Sequence, residues 1–100
     1  MTLEDEFNND MLDIYEKAKV YKYYATRYLQ MVRRRGGLEA AKILINKKIT
    51  PTGFNELVKL GRTDLSVEAL VASDKYKELK YFTDEDRRKA SDRLQEILKK

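Results

Sequence analysis

The side chains that carry most protein chemistry are thinly represented here: the chain has no histidine and no cysteine. The commonest general base and the strongest ordinary nucleophile are therefore missing. Disulfides, thiolate catalysis and sulfur-ligated zinc are excluded with them. The serines, Ser66, Ser73 and Ser91, lack the glycine pattern of a nucleophile elbow. The four glycines stand as a pair and two singles, so there is neither a phosphate-cradling GxxxxGK loop nor a dinucleotide fingerprint. Two acidic runs, Glu4-Asp5-Glu6 with Asp10 and Asp84-Glu85-Asp86, offer the oxygen ligands that hard cations take. Both sit where a helix would begin, and the helix dipole alone favours acids there. No enzymatic activity, metal, cofactor or small-molecule substrate is expected.

Recognition chemistry is better represented. Arg33-Arg34-Arg35 is followed directly by Gly36-Gly37, and with Lys42, Lys47 and Lys48 the arginines are candidate phosphate contacts. Successive helical residues spread over about 200°, however, so the three arginines cannot all face one ligand. Five of the seven tyrosines, Tyr15, Tyr21, Tyr23, Tyr24 and Tyr28, are interleaved with Lys17, Lys19, Lys22 and Arg27. That alternation suits a stacking surface for single-stranded nucleic acid and equally an aromatic protein interface. In Gly61-Arg62-Thr63-Asp64, with Glu68 four residues on, a helix starting at Asp64 makes the two carboxylates neighbours. Arg62 then reaches either as a planar fork, either as a structural clamp or as part of a recognition surface. Residues 38–61 have the length of a helix–turn–helix, but the second helix offers only Asn55 and Lys59 to a base edge.

These groups must be positioned by helices. Glycine and proline are scarce, and Lys, Glu, Leu and Ala are plentiful. Thr2 reads as the N-cap of a helix with acids in its first turn. From there Phe7, Met11, Ile14, Ala18, Tyr21, Ala25, Tyr28 and Val32 recur at steps of four and three, a heptad-like seam with no glycine or proline before Gly36. Two builds stay open: one helix of about 30 residues, about 45 Å long, or two helices broken near Lys22 to Tyr24. The tyrosine cluster, weak in helix propensity, marks the place for a break. Arg33 to Gly37 reads as a helix end, with left-handed glycine after arginines matched to the dipole.

Further helices follow over LEAAKILINKK, stopped by Thr50-Pro51, and over GFNELVKL, capped by Thr50 or Thr52, burying Phe54, Leu57, Val58 and Leu60 and ended by Gly61. The next is capped by Asp64 or Ser66. After a link pinned by Tyr76, Leu79 and Phe82 comes a last helix with Thr83 as cap and a stripe of Ala90, Leu94 and Ile97 or Leu98.

Charge is distributed in blocks. Residues 1–16 carry six acids and no base, whereas residues 17–48 carry ten bases against Glu39 alone. Either the basic block is an interaction surface, or an acidic helix folds onto it and neutralises it, which is the blander and favoured reading. No apolar run approaches the roughly 20 residues that span a bilayer, and MTLEDEF is the opposite of a basic signal-peptide opening. A cytoplasmic location and no membrane partner are expected.

The segments YYATRYLQMV, GGLEAAKILI, TGFNELVKLGRTDLSVEALV, YKEL and FTDEDRRKASDRL, between Tyr23 and Leu94, resemble a small bacterial family of helical proteins without an assigned activity. The resemblance implies a helical module rather than an enzyme, found alone or beside other domains, some of them nuclease-like. The sequence departs from the pattern at Lys22 and Tyr24, where glycine and asparagine would be expected before Ala25-Thr26-Arg27. Loss of that breaker and cap strengthens the continuous-helix alternative, against the tyrosine cluster, which tips the balance slightly toward a break.

Together these readings predict an all-α chain: a compact irregular bundle of five or six helices, with residues 1–22 an acidic-to-basic amino-terminal helix and 23–100 the family-like core of one domain. The expected function is a non-enzymatic interaction module that binds a protein partner or itself, as a homodimer joined along Phe7, Met11, Ile14, Ala18 and Tyr21. The alternative is a nucleic-acid-binding accessory protein that uses the basic segment 17–48.

Overall fold

Thr2 starts the first helix as the sequence requires. Its hydroxyl accepts from the Asp5 amide at 3.1 Å, and the Asp5 carboxylate accepts from the Thr2 amide at 3.3 Å. This reciprocal capping box, with Glu4, Asp5 and Glu6 in the first turn, satisfies amides that would otherwise lack partners. The computed structural model describes residues 2–47 and 52–98, without the side chains of residues 52–54 and 97–98. Among the described residues there are six α-helices and no strand: α1 (Leu3–Lys19), α2 (Thr26–Arg35), α3 (Gly37–Ile45), α4 (Thr52–Lys59), α5 (Val67–Ala72) and α6 (Asp84–Leu98). The expected Thr50 cap, the Pro51 stop and the burial of Phe54, Ile97 and Leu98 lie outside the described residues.

The amino-terminal segment is two helices. With a longest extent of 32 Å, the fold has no room for a 45 Å rod. The break is a Schellman ending: the Tyr23 amide donates to the Ala18 carbonyl at 3.2 Å and the Lys22 amide to the Lys19 carbonyl at 2.8 Å. Lys22, the donor of the second bond, occupies the left-handed position of this ending with φ +63°. The same motif ends α4, where Arg62 donates to Leu57 at 2.9 Å and Gly61 to Val58 at 3.0 Å. There the left-handed position (φ +70°) holds glycine. The left-handed conformation costs a side-chain-bearing residue about 1–2 kcal/mol, partly offset by the stiffer unfolded chain it gives relative to glycine. Lys22→Gly is therefore expected to stabilise the protein by about 0.5–1 kcal/mol. Gly61→Ala, whose new methyl meets open space, is expected to destabilise it by about 1 kcal/mol through the backbone alone. Urea unfolding midpoints of the two variants check both signs.

The α2–α3 turn divides its work between two glycines. Gly36 adopts φ +86°, ψ 157°, an extended region open essentially to glycine rather than the left-handed turn that the sequence suggests. Gly37 is needed for close approach: a Cβ there would stand 2.9 Å from the Asn8 Cα. α3 thus begins against α1, and the Asn8 carboxamide oxygen accepts the Gly37 amide at 2.7 Å.

One continuous core joins the helices, comprising Phe7, Met11, Val32, Ala40, Ala41, Ile45, Val67, Val71, Tyr76, Leu79, Phe82 and Ala90. The aromatic centre has Phe7 edge-on to Tyr76 at 4.9 Å and tilted against Phe82 at 5.2 Å. Ser66 caps α5 by accepting the Ala69 amide at 3.0 Å. Thr83 and Asp86 form a second capping box at α6, with bonds of 3.0 and 3.1 Å. No helix among the described residues is long and apolar enough to cross a membrane.

Candidate functional site

Each residue singled out by the sequence has a definite place. Phe7, Met11 and Ala18 are buried in the core of their own chain, and Ile14 packs against that core half-buried. A seam of this spacing is the contact stripe of a helix, and the partner here is intramolecular. Only Tyr21 of that seam is exposed, so in this conformation the stripe presents no face to a second molecule.

The candidate phosphate contacts do not converge. Arg35 pairs with Glu39 at 3.0 Å. Lys42 pairs with Asp86 at 3.4 Å and lies over the Tyr81 ring. Arg33, Arg34 and Lys47 are exposed and make no ion pair among the described residues, and Lys48 lies outside them. The acidic head does not cover the arginines through ion pairs either. Among its carboxylates, Asp10 pairs with Lys75 at 3.1 Å and Glu16 with Lys19 at 3.3 Å. The two helices pack together, but the favoured neutralisation is not made by direct bridges between head and arginines.

The clamp separates into two pairs. Arg62 grips Asp64 as a fork, Nε to Oδ1 at 3.0 Å and Nη2 to Oδ2 at 2.9 Å. That bond holds the Asp64 carboxyl below its ordinary value. The free edge of the guanidinium donates to the Tyr21 hydroxyl and lies 5.3 Å from that ring's centre. Glu68 is elsewhere. It is 3% exposed and accepts from Arg93 of α6 at 2.5 Å. Arg93 also donates to the carbonyls of Leu44 (3.3 Å), Ile45 (3.4 Å) and Lys47 (3.1 Å), closing the end of α3. Sequence proximity favoured Arg62 as the partner of Glu68. The true partner, 25 residues away, carried no local signal beyond being an arginine on the last helix.

Two further polar clusters tie distant segments of the chain together. The Tyr76 hydroxyl and Lys75 both donate to Asp10. Burial pushes the Asp10 carboxyl up, but these bonds and the charges of Lys75 and Lys17 outweigh it and hold it low. Burial and the same bond push the Tyr76 hydroxyl up to about 12. Asp86 is likewise held low: its burial is outweighed by the Thr83 amide, Asn46 and Lys42. The Tyr28 hydroxyl donates to the Met11 carbonyl at 2.6 Å, and burial raises it strongly. No cluster of three metal-ligating side chains exists among the described residues.

Asp10 and Asp86 set an acid limit. Their folded values lie below the ordinary 3.8, so near pH 4 the unfolded chain binds more protons and stability rises with pH there. This contribution is complete above the unfolded value and is lost as pH falls through the folded one. Urea midpoints are expected to be flat from neutrality to about pH 5 and to fall below pH 4. Asp86→Asn should make that acid limb shallower.

One surface remains conspicuous. Among the described residues the exposed large apolar side chains are Val20 (79%), Tyr24 (59%), Tyr81 (41%), Tyr21 (38%) and Leu60 (37%), the last expected in the core from the sequence but placed just past the end of its helix. All but Tyr81 belong to the α1–α2 loop or the turn after α4, and the Tyr21–Arg62 contact joins these two segments. Lys17, Lys22 and Arg27 flank the loop, exposed and without ion pairs among the described residues. No protein-family model, curated protein or solved structure matches the chain.

Proposed function

We propose that the chain is a non-enzymatic helical module that binds a protein partner through the α1–α2 loop and the adjoining turn after α4. The observation that carries this reading is the gathering of Val20, Tyr21, Tyr24 and Leu60 on adjoining segments of an otherwise charged surface. Small soluble domains rarely leave such groups together unless something covers them, and aromatic centres with arginine neighbours are typical of protein interfaces. The bound Arg62 fork supports it by holding Tyr21 in place before any partner arrives.

The nucleic-acid reading is supported by less. Of its six contacts, Arg35 and Lys42 are engaged within the chain, which leaves Arg33, Arg34 and Lys47 as exposed described cations. The test compares two double variants of matched stability in affinity capture and in titration of labelled DNA and RNA. Val20→Ser with Tyr24→Ser is expected to abolish capture of a partner that the unaltered chain retains, whereas Arg33→Ala with Arg34→Ala keeps it. Nucleic-acid binding that weakens steeply with salt and vanishes in the arginine variant, with capture unaffected by the loop variant, would overturn the proposal.

A further inference from the structure

The loop between α1 and α2 is a stop without a stop signal. Its left-handed position is held by Lys22, whereas the matching position after α4 is held by glycine. α2 starts after Ala25, an N-cap residue that offers no side-chain cap. No glycine or proline occurs from Leu3 to Arg35, and apolar residues keep their four-and-three spacing straight through the loop at Ala18, Tyr21, Ala25, Tyr28 and Val32. Apart from the weak helix propensity of its tyrosines, local sequence therefore permits one helix, and packing imposes two: Phe7 and Met11 must reach the core.

That demand does not require the α1 of the same molecule. Contacts that seat α1 run between it and later elements: Asn8 with Gly37, Met11 with Tyr28, Asp10 with Lys75 and Tyr76, Phe7 with Tyr76 and Phe82. The α1 of a second copy satisfies them equally. A continuous helix over residues 3–35 would be about 50 Å long, beyond the 32 Å of the fold, and so would carry α1 out of its own molecule.

We propose that two copies of the chain exchange α1, the loop straightening into one helix as each Phe7–Met11–Ala18 stripe enters the other's core. The exchange keeps the seating contacts, releases the left-handed lysine in both hinges, and gives up the Schellman bonds and the Tyr21–Arg62 contact. Those losses and the entropy of association oppose it, so the dimer is favoured at high protein concentration. The heptad seam then serves association after all, inside a core rather than on a surface. The exchange also dismantles the loop proposed above as the partner surface, so the swapped dimer and the partner-binding form exclude one another.

The test needs no known partner. Sedimentation of protein refolded at high concentration is expected to show a dimer, weakened about five- to thirtyfold by Lys22→Gly, which removes the strain from two hinges. Because the chain lacks cysteine, Asp10→Cys and Lys75→Cys can be introduced on separate chains and the mixture treated with a short bismaleimide. Exchange predicts a cross-link joining the two different chains, mapped by peptide mass. A strict monomer overturns the proposal. So does a dimer indifferent to Lys22→Gly, or one in which mixed chains fail to cross-link while a doubly substituted chain cross-links only within itself.

Discussion

Arg93→Ala is expected to lower the unfolding free energy by about 3–5 kcal/mol, most of what a domain of this size has to lose. The reason is what the guanidinium leaves behind. Glu68 is almost wholly buried, and its 2.5 Å bond to Arg93 is the ion pair that compensates its charge. Removing one member of such a pair leaves an uncompensated buried carboxylate. The carbonyls of Leu44, Ile45 and Lys47 lose a donor at the same stroke. Arg93→Lys keeps the charge but loses the planar fork, so it should cost about half as much as alanine. The pair Glu68→Gln and Arg93→Met should be less destabilising together than the sum of the two singly, since neither then strands a charge. Urea unfolding followed by circular dichroism gives all four values.

Phe7→Ala is the second large effect, a loss of about 3–5 kcal/mol. The ring is fully buried and fills the angle between Tyr76 and Phe82, so its removal forfeits transfer energy and aromatic contact and leaves a cavity. The variant also separates two uses of one apolar stripe. If the stripe packed on the outside of a partner, alanine would weaken association and leave monomer unfolding unchanged. Measured at protein concentrations low enough to keep the chain monomeric, the loss is expected in unfolding itself.

What the sequence could show of this architecture was whatever is decided within a few residues. Thr2 with Asp5 and Thr83 with Asp86 announce helix starts because a capping box is complete within four positions. The Gly36-Gly37 pair announces a turn, although only the packing of α3 on Asn8 explains why the second glycine is needed. The α1–α2 break was half legible. Tyrosines weaken a helix there, but the residue that makes the turn is a lysine, and the adjoining Tyr21 is held by Arg62, 41 positions away. Heptad spacing announces that a stripe is buried and is silent on whose core buries it. Polar pairing was the least legible: Glu68 passes over nearby Arg62 for Arg93, and Asp10 passes over the neighbouring lysines for Lys75 and Tyr76. Opposite charges are common in such a chain, and topology selects which meet. The exposed site followed the same logic. Tyr24 was legible as an aromatic outside the seam, whereas Leu60 joins it only because the turn after α4 folds against the loop.

The α1–α2 loop and the adjoining turn are the surface proposed to meet a partner. Amide chemical shifts recorded with and without the captured partner test it most directly. Shifts concentrated at residues 20–24 and 59–62, and lost in the Val20→Ser, Tyr24→Ser variant, are the predicted result. Shifts centred on Arg33, Arg34 and Lys47, with residues 20–24 unmoved, would contradict it.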